Sequence, residues 1–583
     1  MSAEDIDAEP AGPETTKLED LELGDLVDSV VESYRRMSMP AFTYALLIVV
    51  PALVFLVATI ITVVFVDLPM FVAVPVPMLG ALALVTAVLY PKIKQDQRKT
   101  RMENRFHLFV THMTILATTN IDRVEVFRRI GQEEEYGPLA EEARRIVQLI
   151  DAWNQSLDDA CRMRANKVPS DLVADFLDRL AYTINSGQSL EAYLTSEQDA
   201  IIRNYATVYE GQLENLQVMK DLYLSMVLSV TFALVFATVL PILSGTNPTM
   251  TVSSIVVLYS FIQLGFLYAI YTLAPSDPLW YFPDDTTTNT EWRLRVAVVV
   301  GVGLSFVLIV GVLAVLMGWT GIDPKSVPLP LYAAVPTTPL LIPGFVARAE
   351  EERVKDRDDS FTSFIRALGA SETARQTTTT RVLETLRTKE FGALTELIDD
   401  LYKRLNLRID AAKAWRYFTA DAHSYLIQKF SEMYLIGRQM GGDPQHLGNL
   451  ISGNMSEVMQ LRQRRNQAVA TMVGVLYGIT AAATFAFFIG LGIVDVISGL
   501  GLNFSNPAFE VGSIINTEVY DIQLIEYLLV ITVLVNALLS SLMIRVVDGG
   551  HKVNSYIHFV VLTWISSVIG SLTLRLVSSL LSV

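Results

Sequence analysis

The chain of 583 residues has one cysteine, Cys161. An internal disulfide, a CxxC redox pair and a cysteine-rich zinc site are therefore excluded. No Gly-Lys pair occurs anywhere, so the phosphate-cradling GxxxxGK[ST] loop of P-loop ATPases is absent. Basic residues are in deficit, 45 against 61 acidic for a net charge of −16, and no global basic field exists to attract nucleic acid. Charge of either sign is scarce: 18% of residues are charged and 51% apolar, where a soluble domain has about 25% and 45–50%. This composition argues against an ordinary cytosolic enzyme. His107 and His112 stand five apart with no Glu between them, off the i, i+4 spacing of a helical HExxH site, and are expected to be structural.

What is abundant is long apolar runs. Ala41 to Val66 would form a helix of about 39 Å, more than the ~30 Å hydrocarbon core of a bilayer. Further spans are expected at Leu68–Tyr90, Leu222–Leu243, Val252–Ala274, Val296–Trp319, Val327–Val346, Ala468–Val494, Tyr527–Ile544 and Tyr556–Leu574, nine in all. Residues 1–40 are acidic (three basic, 11 acidic) and lack the basic n-region of a secretory signal. Their stripe Leu26, Val27, Val30, Val31 and Tyr34 predicts an amphipathic helix. Lys92, Lys94, Arg98, Lys99, Arg101 and Arg105 follow the second span, Arg348, Arg353, Lys355 and Arg357 the sixth, and Arg462, Arg464 and Arg465 precede the seventh. By the positive-inside rule these flanks are cytoplasmic, as is the N-terminus, and the C-terminus is external. The basic-free loop Ser498–Asp521 suits the outer face, and its Asn503-Phe504-Ser505 is a glycosylation sequon.

The predicted organisation is an acidic N-terminal segment (1–40), spans 1–2 (41–90), a polar block (91–221), spans 3–4 (222–274), a loop (275–295), spans 5–6 (296–346), a second polar block (347–467) and spans 7–9 (468–583). The order repeats itself, and at an offset of 255 Phe106 and Phe109 meet Phe361 and Phe364, Glu135-Tyr136-Gly137-Pro138-Leu139 meets Glu390-Phe391-Gly392-Ala393-Leu394, Leu180 meets Leu435, and Gly187 meets Gly442. This predicts two duplicated, parallel halves. Leu139, Ala143, Ile146, Val147 and Ile150, and again Leu172, Val173, Phe176, Leu177, Leu180 and Ile184, recur at helical spacing. Ser156 with Asp159 predicts a capping box, and breaks fall at Gly137-Pro138, Lys167–Pro169 and Ser186-Gly187. The fold class is an all-α polytopic membrane protein of about nine spans with two duplicated cytoplasmic helical-bundle domains.

No span carries an ionisable residue near its centre, which argues against pumping and ion conduction. Asp67, Asp495 and Asp548 stand at span ends, where an intramembrane aspartyl protease needs two aspartates inside. Pro51, Pro336, Pro339 and Pro343 are expected to kink or break their spans, and Gly474 with Gly478 forms a GxxxG whose expected use is internal packing, with a protomer contact as the alternative. No catalytic, metal or cofactor residue is expected. Charge clusters at Arg128, Arg129, Glu133, Glu134, Glu135, Arg144 and Arg145, with second-block counterparts Arg381, Arg387, Lys389 and Glu390. A solvated bundle end accounts for such a cluster. The sharper reading is a docking surface for a soluble partner.

Asn154-Gln155-Ser156-Leu157-Asp158-Asp159-Ala160, then Pro169, then Asn185-Ser186-Gly187-Gln188-Ser189-Leu190 resemble the motif order of the type II secretion F family, platform proteins of type IV pilus-like machines. Asn120 and Asn154 stand where that family commonly has glycine, and asparagine tolerates the same positive φ. Leu157, Ala160, Pro169, Gly187 and Gly442 occupy the other motif positions. In the second block Gly441-Gly442 and Leu447 remain, but Thr377 to Thr380 replaces the first turn. Glu103 to Phe106, Thr119 to Arg123, Trp153 to Ala160 and Lys220 to Met226 are similar to the archaellum platform branch of the family, of haloarchaeal type, in keeping with 32 Arg against 13 Lys and the acidic excess.

The resemblance implies a non-enzymatic membrane base without cofactor, likening the charged clusters to a seat for a cytoplasmic hexameric secretion-type ATPase. Further implied partners are accessory archaellum proteins, filament subunits (archaellins or pilins), the bilayer and further copies of the chain, with no nucleic acid. Two readings compete: the platform of a non-motile adhesion pilus or type II secretion-like system, and a solute transporter with duplicated halves. The transporter calls for polar or charged groups at the membrane midplane and a pocket between repeats, and neither is evident in the sequence.

Overall fold

A computed structural model describes residues 41–65, 75–119, 121–244, 247–283, 288–319, 321, 323, 327–501 and 521–581. The expected N-terminal stripe, Asn120 and the Asn503 sequon lie outside the described residues. Among the described residues the repeating structure is helix throughout, with one isolated antiparallel bridge, Trp280 to Ser424. The chain divides into two compact units, one from residues 1–103 with 166–175 and one from 104–165 with 176–583.

In the smaller unit a π-helical turn, Ala45–Val49, leads into α1 (Val50–Phe65). Pro51 stands just past that turn, which answers to the predicted irregularity. Helix α2 (Pro75–Ala117) contains Pro91 without ending there. Tyr44 donates to the Ala87 carbonyl at 2.8 Å, and a Cβ on Gly80 would lie 2.9 Å from the Leu56 backbone, so the two helices meet closely at glycine. Lys99 pairs with Asp171 at 2.8 Å, and Ser170 donates to Glu103 at 2.8 Å.

The larger unit holds two successive helix series. The first comprises α3 (Arg123–Ile130), α4 (Pro138–Trp153), α5 (Leu157–Ala165), α6 (Asp171–Asn185, all but its first turn) and α7 (Leu190–Val239), followed by α8 (Pro248–Leu273). Helix α9 (Asn289–Leu316) leads to the second: α10 (Leu341–Arg375), α11 (Thr379–Leu386), α12 (Thr395–Asn406), α13 (Ala411–Ala422), α14 (Tyr425–Gln439), α15 (Pro444–Gly501) and α16 (Ile522–Asp548). A last helix, α17 (Ser555–Leu581), closes the chain's described part. The repeat extends to ring packing. Phe109 meets Tyr136 edge-on with centroids 5.5 Å apart, and at the 255 offset Phe364 meets Phe391 edge-on at 5.6 Å. Gly137 and Gly392 share φ +53°.

Eight helices among the described residues are long and apolar enough to cross a membrane. Of the expected second span, Leu68–Tyr90, the part from Pro75 is the start of α2, and 66–74 lie outside the described residues. Pro336 and Pro339 sit in a 3-10 segment, Val335–Leu340, immediately before α10, so the expected break in span 6 is present. At 1.5 Å per residue, α7 with 50 residues is about 75 Å long and α15 with 58 about 87 Å. Each runs unbroken from a polar block into an apolar span.

Two expectations about the spans are corrected. A Cβ on Gly474 or Gly478 would meet nothing within 4 Å, so internal packing does not use this pair; Gly492 is the packed one, 2.8 Å from Val577. The spans also carry polar groups at depth. Tyr259 donates to Asn536 at 3.0 Å, Gln263 donates to Asn536 at 2.5 Å, and Asn536 donates to Thr480 at 3.2 Å, all buried. The expectation that polar groups are not evident within the spans is thereby overturned: amides in hydrocarbon are stabilised by bonding one another across helices.

Candidate partner-docking surface and its supports

Asp122 caps α3 by accepting from Val124 N at 3.0 Å. The helix then presents Arg128 and Arg129 outward: Arg128 bonds Glu125 at 2.8 Å and reaches Asp151 on α4 at 3.1 Å, and Arg129 bonds Glu125 at 2.9 Å. The Glu125 carboxyl is held below its usual value by bonds from Arg128 and Arg129. The chain turns through the 3-10 segment Glu134–Tyr136, and Gly137 reverses it at φ +53°, ψ −115°, a region favouring glycine, before Pro138 starts α4. Glu134 and Arg144 are exposed and Glu133 half-buried. Burial pushes the Glu133 carboxyl up, Glu432 adding to it. Arg145, its side chain as exposed as that of Arg128, bonds buried Glu142 at 2.7 Å, as Arg164 does at 2.8 Å. In the second block Arg381, Arg387, Lys389 and Glu390 are all exposed; Arg387 pairs with Asp399 at 3.3 Å and lies over the Tyr402 ring.

The motif positions are structural. Ser156 Oγ accepts from Asp159 N at 3.3 Å and donates to the Asp159 carboxylate at 2.8 Å, so hydroxyl and carboxylate meet directly in a variant of the expected capping box. Asn154 takes φ +51° as the left-handed cap of α4, and Gly187 takes φ +82°. Leu157 and Ala160 are buried, and Pro169 precedes Ser170, where α6 begins. In the second block the left-handed turn belongs to Gly441 at φ +87°, one residue before the expected Gly442, whose Cβ would instead crowd the Gly437 carbonyl at 2.9 Å. Gln376 at φ +48° makes the turn ahead of the threonine run. His107 stacks on Tyr205, and His112 bonds the Tyr136 hydroxyl at 3.2 Å; burial pushes their imidazoles down to about 4 and about 3. Cys161 is buried, its thiol pushed up to about 12.

Two supports were not read from the sequence. Glu135 extends to Lys429 of α14 at 2.6 Å; the lysine is 2% exposed, lies over the Tyr136 ring and also pairs with Glu432 at 3.0 Å. Burial alone would lower this ammonium, but Glu432 and Glu135 outweigh it and hold it charged. The Glu-Tyr-Gly turn of the first block is thereby fastened to the second, beside a bond from Asn454 to Thr111. The second support joins three segments. Arg462 of α15 forks onto Asp277 at 2.6 and 2.8 Å and bonds Asp358 of α10 at 2.7 Å, while Ser424 donates to Asp358. The linker is held alongside by Tyr281 N to the His423 carbonyl at 2.9 Å and Tyr425 N to the Leu279 carbonyl at 3.1 Å. Burial raises Asp277, yet Arg462 outweighs it and holds that carboxyl low; burial pushes Asp358 up to about 6 against Arg462 and Ser424. The available signal for Lys429 was its place at helical spacing from apolar residues, three after Leu426 and four before Met433, both buried.

Such a scaffold of two helix series on long membrane helices defines an all-α multi-pass membrane protein. Residues 109–238 match the family described as type II secretion system (T2SS), protein F. Across the chain, flagella accessory protein J of Methanocaldococcus jannaschii is 34% identical over 96% of this chain and 99% of its own length. Flagella accessory protein J of Methanococcus voltae is 33% identical over 87% of this chain and 90% of its own. The chain belongs to the flagella accessory protein J family. No solved structure matches it.

Proposed function

We propose that this protein is the membrane platform of an archaellum, a passive coupler that passes the strokes of a cytoplasmic secretion-type ATPase to filament subunits in the bilayer. The observation that carries it is end-to-end similarity to flagella accessory protein J, a length that a shared module alone would not give. The geometry supports a coupler. Helices of about 75 and 87 Å run from polar block to span, and buried ion pairs clamp the blocks and linker, so a push at the blocks has stiff paths into the membrane. The basic flanks of the spans favour both blocks and the N-terminus inside and the C-terminus outside. The exposed charges Arg128, Arg129, Glu134, Arg144, Arg381, Lys389 and Glu390 are the ATPase-facing set, accessory archaellum proteins and further copies complete the machine, and a salt-loving host suits the acidic excess.

Deleting the gene should abolish swimming and surface filaments while the filament subunits stay in the membrane. Normal swimming with loss of adhesion pili would instead make it the platform of a non-motile pilus.

A further inference from the structure

Two corners of the larger unit, α4 to α5 and α12 to α13, match in build and oppose in charge. Asn154 turns the chain at φ +51° after α4 and Arg408 at φ +60° after α12, a correspondence one residue short of the 255 offset, like that of Gly187 with Gly441. The cap of the next helix follows two residues on in both. Ser156 accepts from Asp159 N at 3.3 Å at the head of α5, and Asp410 accepts from Lys413 N at 3.1 Å at the head of α13. Exposure agrees as well: Trp153 and Leu407, each just before its turn, are 73% and 75% exposed, and Met163 and Tyr417, on the helices that follow, 43% and 45%. The charges do not agree. Residues 151–163 carry Asp151, Asp158 and Asp159 against Arg162 alone, whereas 405–417 carry Arg408, Lys413 and Arg416 against Asp410 alone. Asp159, Arg408 and Lys413 are exposed and make no ion pair among the described residues.

We propose that these corners are the two sides of one contact between copies of the chain: the 153–163 corner of one copy seats against the 407–417 corner of another, with the Asp159 carboxylate toward Arg408 and Lys413. Both corners are open in a single chain, so neither is already covered within it. An exposed indole on one side and an exposed phenol on the other, each flanked by charge, have the make-up of interface anchors. Pairing first corner with first, or second with second, sets like charges together, and only the mixed pairing is complementary. In parallel repeats related by an axis along the membrane normal, matched elements stand at the same height above the bilayer. Two copies in one membrane therefore present a first-block corner level with a second-block corner. Each copy has both sides of the contact to offer. The proposal deepens the reading that further copies complete the machine, and rests on it and on both blocks lying on one side of the membrane.

The test uses the full chain in membranes, with two tags marking two co-expressed copies; Cys161 is buried and does not compete. Trp153→Cys in one copy and Leu407→Cys in the other should give a disulfide between the tags under copper-catalysed air oxidation, at several times the yield of either substitution paired with itself. Arg408→Glu with Lys413→Glu in every copy should lower co-purification of the two tags about tenfold at about 0.15 M salt, and Arg408→Gln with Lys413→Gln should lower it in the same direction. Adding Asp158→Lys with Asp159→Lys to the Glu pair should restore association, because the mixed pairing is then complementary with its signs exchanged. Equal yields for like pairings, a disulfide formed only within one copy, or co-purification unmoved by both double variants overturns the proposal. So does intact co-purification with loss of ATPase capture, which makes the corners part of the ATPase seat. Tags that never co-purify from wild type overturn the multi-copy reading together with the contact, whereas copies that associate without the mixed disulfide overturn the contact alone. A membrane-impermeant maleimide that reaches the two engineered thiols from opposite sides overturns the shared side as well.

Discussion

At the scale of single residues, the Arg462 fork is where charge and burial are most tightly opposed. Asp358 is fully buried and Asp277 nearly so, and one guanidinium serves both. Arg462→Met keeps much of the volume but leaves two buried carboxylates without a cation, a change that costs on the order of 3–5 kcal/mol. We expect a clear fall in Tm in detergent, with Asp277→Asn/Asp358→Asn recovering part of it in the Met background. The Asp358 carboxyl also makes stability depend on pH. Its folded-state value of about 6 lies above the ~3.9 of an unfolded aspartate, so the folded chain holds the proton more tightly. The contribution is full below about pH 4 and is lost as pH rises through 6. Thermal unfolding from pH 4 to 7 should show this decline, and Asp358→Asn should flatten it; an identical slope in the variant would refute the assignment.

At the scale of elements, the crossing of α10 with the start of α15 depends on two glycines. A Cβ on Gly369 would run into the Pro444 carbonyl, and one on Gly448 would lie 2.9 Å from the Ile365 carbonyl oxygen. Both obstacles are backbone, which cannot rotate away. Gly369→Ala should therefore cost about 1–3 kcal/mol although alanine favours helix, and a Tm equal to or above wild type would contradict the packing. The helices themselves were legible. Periodicity located α4 and α6, the Lys167–Pro169 and Ser186-Gly187 breaks fall between helices, and the Gly137-Pro138 break falls where α4 begins. Crossings were not legible, because a glycine's neighbours are distant in sequence: Gly474 and Gly478 carried the recognisable pattern and are open, while Gly369 and Gly448 carry the contact.

At the scale of the whole molecule, the 255 offset is kept by the matched Phe109–Tyr136 and Phe364–Phe391 contacts and by the shared φ of Gly137 and Gly392, and it slips by one residue at the turn of Gly187 and Gly441. Which charges are tied to buried partners was not legible in the sequence. Glu135 and Arg145 resemble their neighbours in sequence, yet one is tied to Lys429 and the other to Glu142. A docking test should accordingly spare them. Reversing Arg128, Arg129 and Arg144 to Glu should weaken capture of the ATPase by the detergent-solubilised protein at least about tenfold, with the effect shrinking as salt rises. Equal capture across ionic strengths would remove this surface from the machine. The sequestered thiol of Cys161 has a practical corollary. With no other thiol in the chain to compete, spin labels or fluorophores attached to engineered surface cysteines will report from chosen positions on the otherwise native chain, so distances between the blocks can be followed with and without the proposed ATPase partner.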